Sequence, residues 1–207
     1  MIRHRTIVKR FNRASSRGRT DSLSQLHIPA QRDECIGQPF FIALRNNVIH
    51  NTNFTSIIIH GYDASYDRHT VDVTIENNTA INNGTRGHFL KVEGDVEGIT
   101  LTHNLYVAPN HTTGSYGTAI VYIEDDDMDS FRQVSNNIWN VPTTLGYAQG
   151  GYFYLWNNWS DSRGYLTPQE WDSYSVVSNE KFQDVTLATN IFQATVSGTT
   201  AGAKLAA

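Results

Sequence analysis

Val73-Thr-Ile-Glu-Asn-Asn78 decides the reading of this chain, because its pattern returns three more times. Ile42-Ala-Leu-Arg-Asn-Asn47 precedes it, and Ile99-Thr-Leu-Thr-His-Asn104 and Arg132-Gln-Val-Ser-Asn-Asn137 follow. The final asparagines stand 31, 26 and 33 residues apart. Each segment alternates apolar and polar residues, the period of a half-buried strand. The inward column then reads Leu44, Ile75, Leu101, Val134.

Working outward, each asparagine is followed by a second short strand: Val48-Ile-His50, Thr79-Ala-Ile81, Leu105-Tyr-Val107 and Ile138-Trp-Asn-Val141. A loop rich in Gly, Asn, Thr and Pro comes next. A third strand closes the repeat: Ile57-Ile-Ile-His60, Leu90-Lys-Val-Glu93, Val121-Tyr-Ile-Glu124 and Phe153-Tyr-Leu-Trp156, with starts 33, 31 and 32 residues apart. Three strands per repeat, without a helical stretch between them, predict an all-β solenoid of about four coils. An asparagine at one place in every coil can take the left-handed conformation of a sharp bend, and stacked asparagines can hydrogen-bond along the axis as an amide ladder. The competing reading is a β-sandwich with Asn-rich turns, which does not usually hold register over four repeats.

The 207 residues are 39% hydrophobic and 17% charged, enough for a core of one domain or a short solenoid. The formal charge of −4 is unevenly spread. Residues 1–37 carry eight Lys or Arg against three acids, leaving eight basic and 17 acidic residues in the remainder. That acidic body excludes nucleic-acid binding by bulk charge. Cys35 is the single cysteine, so an intrachain disulfide is excluded. No apolar run approaches the roughly 20 residues of a membrane helix, and residues 1–37 lack the apolar centre of a secretory signal. Residues 1–37 therefore read as a basic, disordered leader; a transit peptide or a misassigned start has the same composition.

Residues 40–160 resemble the right-handed parallel β-helix proteins of the pectate-lyase-like superfamily. The matching features are the strand–Asn–strand–loop–strand order and the column Asn47, Asn78, Asn104, Asn137. Tyr116-Gly-Thr-Ala-Ile-Val-Tyr122 through Gly150-Gly-Tyr-Phe-Tyr-Leu-Trp156, with Gly164-Tyr-Leu-Thr-Pro-Gln-Glu-Trp171, is similar to the C-terminal part of large secreted bacterial β-helix proteins. The resemblance implies that the third strand of each repeat builds the sheet whose outer face forms a substrate cleft. It also implies an extracellular or cell-surface location. Family enzymes have more coils and an N-terminal helical cap, so the resemblance implies a monomeric short relative or a fragment of a longer chain. Residues 38–160 are then the coils, 161–195 a C-terminal cap and 196–207 a flexible tail. Within the cap, Thr167-Pro-Gln-Glu170 reads as a helix start with a capping box, placed to cover the open end of the solenoid.

Alternation along the third strand predicts two outward columns: Ile58, Lys91, Tyr122, Tyr154, and His60, Glu93, Glu124, Trp156. With coils about 4.8 Å apart, each column spans about 15 Å, a length that suits several sugar units. Tyr122, Tyr154 and Trp156 offer flat faces for sugar rings. Glu93 and Glu124 on adjacent coils should repel, raising a pKa or recruiting a cation. With Asp125 and Asp127 they form a candidate Ca2+ set of hard oxygen ligands. Solvation of an outer wall explains isolated charges equally well, and a solvated turn explains the acidic run. His103 reads as a turn residue, and His88 and His111 as weaker loop candidates beside the cleft.

Three classes of function compete: an enzyme, a binding module and a structural segment. The superfamily resemblance implies a polysaccharide lyase for a uronate polymer, with Lys91 as base or neutraliser, Tyr122 as acid and His60, Tyr154 and Trp156 contacting substrate. A hydrolase would instead use Glu93 and Glu124 as its carboxylate pair. A non-catalytic module would hold glycan on the same strip, and a structural or adhesive segment of a larger extracellular protein would hold none.

Overall fold

The structure is a computed structural model, and it describes residues 6–8, 26–28, 31–32, 41–52, 54–61, 68–94, 96–111, 119–124, 128–142, 153–157 and 161–183. It is all-β, with strands gathered into stacked, mostly parallel sheets consistent with a parallel β-solenoid. Sheet I orders Thr6–Val8, Phe41–Arg45, Val73–Glu76, Ile99–Thr102, Phe131–Ser135 and Val177–Ser178. Sheet II orders Val48–Thr52, Thr79–Asn82, Leu105–Val107, Ile138–Asn140 and Lys181–Gln183. Sheet III orders Leu26–Ile28, Ile57–His60, Leu90–Glu93, Val121–Ile123 and Phe153–Asn157, ending in an antiparallel strand, Asp161–Leu166. A small fourth sheet joins Gln31–Arg32, Arg68–Val71 and Val96–Glu97, strands the alternation did not predict.

The predicted register holds. Leu44 pairs with Ile75, Ile75 with Leu101, and Leu101 with Val134, and all four side chains are buried. In sheet III, Ile57, Leu90, Val121 and Phe153 stack inward, as do Ile59, Val92 and Ile123. Sheet II contributes Ala80, Tyr106 and Trp139. Phe89 lies 5.7 Å from Tyr106 and 5.5 Å from Trp139 by ring centroids, so aromatic rings bridge the sheets across the core.

The bends follow a finer rule than expected. The left-handed residue is the one before each ladder asparagine: Asn46, Asn77, His103 and Asn136, with φ between 54° and 58°. That leaves the next residue free to point inward, where amides link successive turns. Asn47 Nδ2 donates to Asn78 Oδ1 at 2.9 Å, Asn78 to Asn104 at 3.0 Å, and Asn104 to Asn137 at 2.9 Å. The backbone N–H of each donor residue reaches the same oxygen. The second amide proton of Asn78, Asn104 and Asn137 goes to the carbonyls of Leu44, Ile75 and Leu101. Burial would be costly for amides that lacked these partners.

Both ends of the chain add strands to the sheets of the four repeats. Strands occur inside 1–37: Thr6–Val8 pairs with Phe41–Arg45, and Leu26–Ile28 with Ile57–His60. Inside 161–195, Val177–Ser178 and Lys181–Gln183 extend sheets I and II by another step. Asn179 takes the left-handed bend there, and Glu180 takes the ladder place. Its Oε1 accepts from the backbone and side-chain amides of Asn137, while Oε2 accepts from Trp139 Nε1 at 2.6 Å. A carboxylate has an oxygen for each job, whereas an asparagine offers one. Burial pushes the Glu180 carboxyl up to about 7, against the pull of those three donors.

The predicted helix is present at Pro168–Asp172, with the full Thr167–Glu170 capping box. Its Trp171 is fully buried and stacks on Phe153, with ring centroids 3.9 Å apart and planes 4° apart. The helix therefore closes over the core by one aromatic plug. No helix among the described residues is long and apolar enough to cross a membrane. Residues 196–207 lie outside the described residues.

Candidate functional site

Sheet III carries its polar side chains outward because the alternate positions are filled by the buried Ile, Leu and Val columns. Lys91 is flanked in register by Ile58 and Tyr122, and Glu93 lies beside His60. Glu124 continues the next strand, its N–H donating to Val92 O at 2.9 Å. Tyr122 pairs with Tyr154 along the backbone. The predicted columns are thus real as registers as far as Tyr154.

Side chains tie these positions into one network. Lys91 Nζ lies 2.5 Å from Glu93 Oε1 and 2.8 Å from Glu124 Oε1. The second oxygen of Glu93 faces His60 Nδ1 at 2.5 Å. Lys91 Nζ also lies 5.3 Å from the centre of the Tyr122 ring, within cation–π range. The Lys91, Glu93 and Glu124 side chains keep only 21–26% of their exposure, so this is a half-sunk, partly desolvated cluster. Burial pulls the Lys91 ammonium down, but the hydrogen bonds and charges of Glu124 and Glu93 outweigh it. The net position is above the ordinary lysine value.

The expected repulsion between Glu93 and Glu124 is therefore answered from within the chain, by Lys91. Its ammonium reaches one oxygen of each carboxylate. Asp125 and Asp127, the other members of the proposed Ca2+ set, lie outside the described residues. Among the described residues, no group of three His, Cys, Asp or Glu is placed to hold a metal ion.

The aromatic half of the strip is less complete. Tyr154 and Trp156 belong to a described strand, but their side chains lie outside the described residues. The register with Asp161–Leu166 also shifts between Leu155 and Asn157, beside Trp156. Tyr122 is half-buried, with the His88 ring 5.0 Å away on centroids.

The two loop histidines turn out to be packing residues. His88 is buried, bonded through Nδ1 to the backbone of Ala119, and pushed down to about 3, chiefly by burial. His111 is buried beside the Tyr106 hydroxyl, and burial lowers it to about 4. His103 is the turn residue the sequence implied.

Gly87 is what lets His88 enter. It holds φ +124°, and a Cβ there would lie 1.9 Å from the Phe54 carbonyl oxygen of the neighbouring turn. That carbonyl accepts from His88 N and from Asn82 Nδ2, which pins the loop leading into Leu90–Glu93. Sequence reasoning missed this device, although a glycine just before a strand is a visible signal of close backbone approach.

Comparison with protein-family models, with curated proteins and with solved structures finds no match to this chain.

Proposed function

We propose that the outer wall of sheet III binds a polysaccharide, and that the stack is a right-handed parallel β-helix of the pectate-lyase-like kind acting outside the cell. The observation that carries the reading is the His60–Glu93–Lys91–Glu124 network, fixed across three adjacent strands beside Tyr122. Carboxylates held this way present oriented acceptors to sugar hydroxyls without a further ordering cost. The regular spacing of parallel strands repeats such contacts along an extended chain.

Binding is better supported than lyase chemistry. A proton-abstracting base must be free of its own proton near neutral pH. Lys91 is shifted the other way, and both of its charge partners favour the ammonium. Native gels containing immobilised polysaccharides test the proposal. Retardation of the wild-type chain by at least one polymer, reduced at least about tenfold in Glu124→Gln, is expected. No retardation by any polymer would remove the reading. Release of unsaturated uronate product, followed by ultraviolet absorbance, would restore the lyase.

A structural or adhesive segment without a ligand is the second reading. It is favoured by one observation: Lys91, Glu93 and Glu124 already satisfy one another within the chain.

A further inference from the structure

The binding reading leaves the class of polymer open, and charge on the wall decides it. We infer that this surface selects uncharged polysaccharide and rejects polyuronate. The inference rests on the binding role proposed above.

Recognition of a uronate needs a cation whose charge is not already offset by neighbouring carboxylates. On the described outer face of Ile57–His60, Leu90–Glu93 and Val121–Ile123, the lysine is Lys91, and two of its three protons are directed to Glu93 and Glu124. Both contacts come from inside the chain and already offset the ammonium charge, so an incoming carboxylate gains only the one remaining proton and meets two carboxylates beside it. The approach is also unfavourable. One ammonium stands against two carboxylates, Glu93 and Glu124. A polyanion meets like charge at Glu93 and Glu124, where the strip is charged.

A hydroxyl meets the opposite situation. An ionised carboxylate accepts about four hydrogen bonds. Glu124 uses Oε1 on Lys91, and Glu93 shares its two oxygens between Lys91 and His60. Each side chain remains about one-quarter exposed, which leaves it open to a ligand hydroxyl. Bridging by Lys91 holds both carboxylates in place for that contact. The ammonium acts here as a positioning group for its two neighbours.

The test measures binding of the full chain to dextran, galactomannan and β-glucan and, at the same ionic strength, to polygalacturonate and alginate. Binding to at least one uncharged polymer and none to the two polyuronates is expected. In the Glu93→Gln/Glu124→Gln double variant the uncharged polymer should be lost at least about tenfold, while polygalacturonate binding appears because Lys91 is released. A thermal melt of the variant checks that it is folded; the wild-type comparison stands without it. Tighter wild-type binding to polygalacturonate or alginate would overturn the inference and leave the binding role intact. Failure to bind any of the five would overturn both.

Discussion

The inner ladder between sheets I and II repeats one residue: Asn47, Asn78, Asn104, Asn137. The outer ladder on sheet III mixes residue types: Ile58, Lys91 and Tyr122 in one column, with His60, Glu93 and Glu124 in the column beside it. The difference follows from chemistry. A primary amide is donor and acceptor at once, so identical amides satisfy one another in a column of any length. Like charges stacked about 4.8 Å apart repel, so a charged column needs a counter-charge from beside it, as Lys91 supplies between Glu93 and Glu124, and such a wall must be specified residue by residue. The repeating ladder supports the fold, and the non-repeating one is where the wall carries chemical information. Where the inner ladder ends, its rule changes as well: Glu180 supplies acceptors only, one oxygen for Asn137 and one for Trp139.

Breaking the inner ladder at its centre should produce the largest effect. Asn104→Leu removes the acceptor for Asn78 and the donors to Asn137 and to the Ile75 carbonyl, all buried. A loss of about 3–5 kcal/mol in urea unfolding is expected. A loss below about 1 kcal/mol would mean that the column is ornamental.

Gly87→Ala comes next, because its Cβ collides with backbone and not with a movable side chain. A cost of about 2–4 kcal/mol is expected from the same unfolding measurement. Since Gly87 feeds the Lys91 strand, glycan binding should weaken with it.

Glu180→Gln sharpens the comparison at the ladder's end. The folded carboxyl sits above its ordinary value of 4.5, at about 7. The folded state therefore prefers the protonated form. Its advantage is present at low pH, is lost as pH rises from about 4.5 to about 7, and is gone above that. Between pH 5 and pH 8 the stability difference should move in favour of the Gln variant by on the order of 2 kcal/mol. His88 and His111, pushed down by burial, act in the opposite direction but are common to both proteins and cancel. A pH-independent difference would contradict this assignment.

Much of the fold was legible because period-two alternation and a near-constant spacing are local signals. They gave the inward columns Leu44–Val134 and Ile57–Phe153 directly. The bend lies one residue before the asparagine column, and the sequence hides this for a plain reason. In Asn46-Asn47, Asn77-Asn78 and Asn136-Asn137 the left-handed and ladder residues carry the same letter. His103-Asn104 was the pair that separated the two roles. Val177-Ser-Asn-Glu180 parallels Val134-Ser-Asn-Asn137, but a search fixed on asparagine passes over a carboxylate in the same place. On the outer wall, spacing put Lys91, Glu93 and Glu124 together, whereas the bridge between them depends on side-chain torsions that no spacing encodes. Burial of His88 and His111 was illegible because loops have no period.

The central claim is that Lys91 is locked between two carboxylates on adjacent strands. Its ammonium can be observed directly by nitrogen-15 NMR of the side-chain Nζ during a pH titration. That group should titrate above the ordinary 10.5, and fall back when Glu93 and Glu124 are both replaced by glutamine. An Nζ that titrates at or below the ordinary value in the wild-type chain would contradict the network and the sugar-binding wall built on it.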